Sequence, residues 1–291
     1  MGTTLQFAGA AFAFLTGLAF GSFLNVVLAR LPEGESIVQP RSHCRHCDHT
    51  LAWWENLPLL SWILLRGRCR QCHTRIRLRY PLVELAVGLL WAACWLRFTA
   101  PLFGANAAIS PILPLSLVLG YALLSWLLIA LAALDAEHLW LPDWLTYPGI
   151  FLGLAFTASG SLLTGMFHRA LLSDLWTRLL EALLAAGVVL VIRLGYWLVR
   201  RREGMGLGDA KLMAMLGAWL GLEGALESFA VAILGATVAA FLWLLVLAAR
   251  RRTKEWAQLP LPLGTFLCLA ALSEIFYPGW LFMLWSRTFL P

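Results

Sequence analysis

Residues 114–135 read PLSLVLGYALLSWLLIALAALD, an uncharged apolar run that ends in an aspartate. About 20 such residues, rising 1.5 Å each, are what a helix needs to cross roughly 30 Å of hydrocarbon. The run does not alternate, so it suits a spanning helix and not a barrel strand. Similar stretches stand on either side, and they predict further helices over about 6–29, 81–98, 144–163 and 177–199. Between Lys211 and Arg250 the chain is expected to cross twice, with one short helix and a turn at Gly221, Glu223 and Gly224. A last helix starts near Pro260 and is broken at Tyr277, Pro278 and Gly279. The expected fold is all-α, a polytopic membrane bundle of about eight transmembrane helices.

Composition leads to the same solvent. Of 291 residues, 60% are hydrophobic and only 13% charged, whereas soluble domains carry about a quarter charged residues. The run from Gln6 to Leu28 lacks a basic leader and a small-residue cleavage site, so it is expected to remain as a helix. The net charge of +6 does not mark a nucleic-acid stripe, because the basic residues are sorted along the chain. Nine arginines lie from Arg30 to Arg79, and further clusters lie at Arg200, Arg201, Arg202 and Lys211 and at Arg250, Arg251, Arg252 and Lys254. By the positive-inside rule these segments face the cytoplasm and the N-terminus lies outside. Three regions follow: a first transmembrane helix at 1–29, a cytoplasmic insert at 30–79, and a helical membrane domain at 80–291.

Within the insert, Cys44, Cys47, Cys69 and Cys72 form two CxxC pairs separated by 21 residues, the spacing of a four-thiolate zinc site. A reducing compartment disfavours disulfides and favours metal binding over redox-active or incidental thiols. Four thiolates leave no open coordination position, so the zinc is expected to be structural. His43, His46, His49 and His73 crowd the same knuckles; one of them could replace a thiolate, or all could be loop residues. Cys94 and Cys268 lie in apolar helices as packing residues.

The chain has five aspartates. Crossing parity puts Asp135, Asp143 and Asp209 on one side of the membrane, and Asp135 ends an apolar helix where an ionised carboxylate is costly. Asp209 closes Gly206, Leu207, Gly208, Asp209, a turn whose glycines admit close approach by another chain. Two carboxylates face to face share one proton, which supplies an acid and a base without metal or cofactor. Plainer roles are open as well: Asp143 follows Pro142 and can be a helix N-cap, and Asp209 can cap a helix starting at Ala210. Lys211 is either a membrane-edge anchor or a charge that tunes the pair.

Several segments together resemble the prepilin leader peptidases of type IV pilus and type II secretion systems, within the GxGD class of membrane aspartic proteases. They are Gly21 to Asn25 (GSFLN), the CxxC pairs, Asn56 to Trp62 (NLPLLSW), Arg66 to Cys69 (RGRC), Arg79 to Leu85 (RYPLVEL), Leu134 and Asp135, Leu141 to Asp143 (LPD), and Gly204 to Lys211 (GMGLGDAK). The resemblance implies a catalytic pair of Asp135 and Asp209, with Asp143 in the motif but outside the pair. It implies prepilin or pseudopilin substrates at the cytoplasmic face of a bacterial inner membrane. It also implies a second activity, methylation of the new N-terminal residue with S-adenosylmethionine as donor. Arg45 stands where relatives often have proline, and residues 160–172 look like a modest insertion. The alternatives are a proton-coupled transporter with a regulatory zinc ribbon and a membrane-anchored ribbon that catalyses nothing; neither accounts for the GxGD segment.

Overall fold

A computed structural model describes residues 2–103, 111–163, 168–201, 204–249, 261–281 and 283. Six of the described helices are long and apolar enough to cross a membrane. In chain order the helices are α1 (Gly2–Arg30), a short α2 (Leu60–Leu64), α3 (Arg79–Thr99), α4 (Ile112–His138), α5 (Asp143–Leu163), α6 (His168–Arg200), α7 (Leu207–Ala249) and α8 (Leu263–Phe276). Large apolar side chains such as Phe151, Val191 and Val199 point outward, as they do when lipid is the solvent. The clusters at 250–254 and most of the tail after Trp280 lie outside the described residues.

The expected count of about eight spans differs from six for two reasons. Helix α8 has only 14 residues, short of a full span. Helix α7 is 43 residues long but breaks at Gly221, which takes φ 80° and ψ 175° inside it. The neighbours on each side of Gly221 show a reversal. A Cβ placed on Gly208 or on Gly264 would come within 3.1 Å of Leu141, so α7 and α8 start at the same level. Gly224 lies beside Glu274 at the far end of α8, and Gly235 then lies back beside Phe266. The first part of α7 therefore runs with α8 and the second part runs against it, so the turn expected around Gly221 is present.

The chain forms two compact units, Met1–Ala130 and Leu131–Pro291. In the first, α1 packs on α3 through small residues. A Cβ on Gly21 would sit 2.7 Å from Glu84 Cα, and one on Gly17 would sit 2.9 Å from Gly88 Cα. Such backbone approach is how membrane helices gain dispersion contact when lipid offers no hydrophobic drive. Three of the segments singled out in the sequence meet here. Asn25 of α1 is buried and donates from Nδ2 to the Tyr80 carbonyl at 2.9 Å. Glu84 of α3 is also buried, and its Oε2 accepts the Leu59 N–H at 2.8 Å, holding the NLPLLSW turn where Leu59 has φ 58°. Arg30 is buried too, donating to the carbonyls of Ser36 at 2.9 Å and Pro40 at 2.7 Å. It organises the base of the insert and is not an exposed anchor.

In the second unit α7 is the central element, packed by α5, α6 and α8. A Cβ on Gly217 would lie 2.7 Å from Ala182 Cα of α6. Trp219 fills the space left by Gly153 on α5 and donates from Nε1 to the Gly149 carbonyl at 2.8 Å. Pro148 inside α5 removes one backbone donor from that helix.

Candidate active site and metal centre

Helix α4 ends through the Leu139 N–H, which donates to the Asp135 carbonyl at 2.8 Å while Leu139 itself turns left-handed at φ 52°. That turn sends residues 140–142 back toward α5 and leaves Asp135 on the last turn of α4. Asp135 is 6% exposed. Its Oδ2 accepts the Thr265 N–H at 2.6 Å and lies 3.0 Å from the Thr265 hydroxyl. Thr265 is the third residue of α8, so a carboxyl from α4 meets the N-terminal turn of α8, where unpaired N–H groups and the helix dipole favour negative charge. Gly264 makes the approach possible: a Cβ there would be 3.0 Å from both Asp135 Cγ and Oδ2.

Asp209 is the third residue of α7, which begins at Leu207 and not at Ala210. Its Oδ2 accepts the Gly206 N–H at 3.2 Å, one half of a capping box. The capping contact and proximity to the other aspartate coexist, for Asp209 lies close enough to Asp135 for the two charges to act on each other. Leu141 forms the shared floor, under Gly208 on one side and Gly264 on the other. Arg193 of α6 donates to the Met205 carbonyl and tethers the GMGLGD turn from outside.

Asp143 has a different partner from the expected cap. It is the first residue of α5, exposed, and its Oδ1 is 2.5 Å from Lys211 Nζ. Lys211 also sits 5.2 Å over the Tyr147 ring. The ammonium is thus balanced by Asp143, and the two ion-paired residues tie the start of α5 to the first turn of α7.

In the insert, the four thiols gather as the spacing predicts. The Sγ atoms of Cys44, Cys47, Cys69 and Cys72 all lie within 4.8 Å of one another. A tetrahedral site with arms of about 2.3 Å has edges of about 3.8 Å. The Cys44–Cys72 and Cys47–Cys69 separations are 3.8 and 4.0 Å, so the donor set fits zinc. The two knuckles repeat one another. Cys44 N–H donates to His49 O and Asp48 N–H to Cys44 O, both at 2.9 Å. Cys69 N–H donates to Thr74 O at 2.9 Å and His73 N–H to Cys69 O at 3.0 Å, and Asp48 and His73 share φ 55°. The His49 N–H favours the Cys47 thiolate, but desolvation and the neighbouring thiols outweigh it and push Cys47 up to about 12. Thr74, through hydroxyl and N–H, brings Cys72 down to about 6. Such crowding of one proton-holding and one proton-shedding thiol is relieved by a cation that binds all four as thiolates.

The histidines do other work. His49 Nε2 pairs with Glu55 Oε2 at 3.1 Å, and His43 Nδ1 with the Arg41 carbonyl at 3.1 Å. Burial works against the charged form of Glu55, yet the Ala52 N–H, His49 and Arg70 hold it below the usual carboxylate range. Arg45 bonds Glu33 Oε1 at 2.8 Å and the Ala29 carbonyl at 2.5 Å, fastening the first knuckle to the end of α1. Sequence reasoning gave Glu84 and Arg45 no structural role and passed over Gly264 and Thr265. The one signal for the last two was PLPLGT, a proline-rich approach with a hydroxyl residue in the first turn of an apolar helix.

A helical membrane bundle with a GxGD turn and the buried Asp135, their neighbouring glycines both packed on Leu141, suits a membrane-embedded aspartic peptidase. Two family profiles match the chain: the bacterial peptidase A24 N-terminal domain over residues 15–98 and the type IV leader peptidase family over residues 122–247. The chain is 39% identical over 283 residues to a prepilin leader peptidase/N-methyltransferase of Myxococcus xanthus, covering 97% of this chain and 76% of that one. It is 36% identical over 300 residues to the protein of that description from Aeromonas hydrophila, covering 94% and 89%. The Stutzerimonas stutzeri protein so described is also 36% identical over 300 residues, covering 94% and 90%. No solved structure matches. The chain belongs to the type IV leader peptidase family.

Proposed function

We propose that this chain removes the basic leader from prepilins or pseudopilins at the cytoplasmic face of a bacterial inner membrane, using Asp135 and Asp209 as its catalytic pair. The observation that carries the site assignment is the gathering of both aspartates around Leu141, with the N-terminus of α8 against Asp135. One carboxylate takes a proton from water as it attacks the scissile carbonyl, and the other carboxyl gives its proton to the leaving amine. The substrate's apolar segment lies among the helices while its basic leader stays in water. Regions 1–29, 30–79 and 80–291 then serve as anchor helix, metal-braced insert and peptidase domain. Cys44, Cys47, Cys69 and Cys72 hold a structural zinc, which closes the insert and takes no part in hydrolysis. The nucleic-acid reading has no place in this scheme, and family membership speaks against proton-coupled transport.

The relatives' description adds N-methylation of the new N-terminal residue, with S-adenosylmethionine as the expected donor. The groove of about 350 Å³ lined by Leu190, Arg193, Leu194 and Trp197 does not suit it. That groove offers a cation and apolar walls, with no carboxylate for a sulfonium or ribose hydroxyls.

The deciding experiment incubates purified protein with a prepilin and follows release of the leader. Asp135→Asn and Asp209→Asn should each lower the rate by at least about 10³-fold, and the double variant should be no worse than either, as for residues acting as a unit. Cleavage by Asp135→Asn at more than a few per cent of the normal rate would sink the assignment.

A further inference from the structure

The α8 N-terminus contributes more than packing to this site, and the argument rests on the catalytic pair proposed above. Among the described residues, both hydrogen bonds to the Asp135 carboxyl fall on Oδ2, from the Thr265 N–H at 2.6 Å and the Thr265 hydroxyl at 3.0 Å. That same hydroxyl is 3.0 Å from the Ala132 carbonyl. It owns one proton and can give it to only one of these acceptors at a time. An ionised Asp135 attracts it more strongly, since bonds to charged acceptors are roughly twice as strong as neutral ones.

We infer that Thr265 is a positioning residue for peptide cleavage: it clamps Oδ2 of Asp135, presents Oδ1 toward Asp209 and the water, and favours Asp135 as the ionised base of the pair. The proton of the resting pair then resides on Asp209, the half-exposed member, whose Oδ2 accepts the Gly206 N–H. During water attack Oδ1 of Asp135 gains a proton, and the Thr265 hydroxyl swings to the Ala132 carbonyl. When Asp135 passes that proton to Asp209, which has given its own to the leaving amine, the resting pair is restored and the hydroxyl returns. No atom leaves Thr265, and it touches neither water nor peptide.

Among the described residues, the titratable groups that feel the charge of Asp135 are Asp209 of α7 and the neutral Cys268 thiol of α8. On its own helix, Glu137 and His138 lie 3.9 Å apart. Lys211 is engaged by Asp143. Loss of the Thr265 hydroxyl removes a donor to the charged form, so Asp135 becomes easier to protonate. A base must be ionised to act, and the acid limb of the kcat/KM profile therefore moves to higher pH.

The test is the pH profile of prepilin cleavage for Thr265→Val, Thr265→Ala and Thr265→Ser. Val keeps the shape and the backbone N–H, and Ala covers the case in which Val misfolds. Both should shift the acid limb up by about one pH unit, the scale of one hydrogen bond to a charged group, while keeping activity on the alkaline side of that limb. Ser restores the hydroxyl and should restore the profile. An unshifted limb in Val and Ala, or a pH-independent loss that Ser does not repair, overturns the inference. If Asp135→Asn is dead in the same assay, that failure leaves the catalytic pair standing. If Asp135→Asn cleaves, the pair itself falls, and the role of Thr265 with it.

Discussion

Gly264→Ala sets two effects of opposite sign against each other. By helix propensity alone the change is favourable, since alanine exceeds glycine by about 0.8–1.0 kcal/mol in a helix interior and by less in a first turn. Against it, the new Cβ would be 3.0 Å from Asp135 Cγ and Oδ2 and 3.1 Å from Leu141 Cδ1. Ordinary carbon contacts are about 3.5–4.0 Å, so Asp135 or the start of α8 must move by roughly 0.5–1 Å. A displacement of that size at reacting atoms can cost on the order of 10²-fold in rate, about 2.7 kcal/mol of transition-state stabilisation. The expected outcome is a protein whose thermal unfolding and zinc content match the parent but which cuts a purified prepilin tens to a hundred times more slowly, roughly. Leader release followed by gel mobility, with unfolding temperature measured on the same preparation, gives both numbers. A variant that cuts within about twofold of the parent would show that α8 does not press on Asp135, and a variant that unfolds would show that packing alone was disturbed.

Three further outcomes are expected. Purified protein should carry about one zinc per chain, and Cys44→Ser with Cys72→Ser should lose the metal and loosen the insert; full zinc in the double variant would falsify the four-thiolate site. Asp143→Asn removes the Lys211 ion pair, which is partly exposed and so contributes at most about 1 kcal/mol, so cleavage should fall by no more than roughly tenfold, read as kcat/KM. A cysteine introduced near Glu33 should react with membrane-impermeant reagents only from the cytoplasmic side, and labelling from outside would invert the proposed topology and remove the reducing compartment from the zinc argument.

Much of the fold was legible because lipid imposes a simple rule: uncharged runs of sufficient length become helices, and the boundaries expected for α1, α3, α4 and α5 agree with those found to within about a turn, whereas α6 starts at His168, well before the expected 177. The Gly221 turn was also readable, because two charge clusters on one side require an even number of crossings between them. The thiols were legible from spacing alone. Asp135 stood out because a carboxyl at the end of an apolar helix needs a reason. What supports it did not stand out. Gly264 and Thr265 lie 130 residues or so beyond Asp135 in the chain, and their meeting depends on how α8 docks, which no local pattern encodes. Asp143 looked like a cap because Pro-Asp before an apolar run usually is one; its true partner, Lys211, is 68 residues away. Glu84 was visible only as one letter of a motif until Leu59 appeared with its N–H aimed at the carboxylate.

The brevity of α8 reaches beyond the protein. Its 14 residues rise only about 21 Å, as do residues 207–220 of α7 before the reversal, against a hydrocarbon thickness of roughly 30 Å. Two adjacent short helices impose hydrophobic mismatch on the surrounding leaflet, which must thin or admit water beside them. Asp135 and Asp209 stand at the shared end of those helices, where a thinned leaflet would bring water to them. In reconstituted membranes, then, the length of the lipid acyl chain should set the cleavage rate: short chains relieve the mismatch, and long ones strain the end of the bundle that holds Asp135 and Asp209.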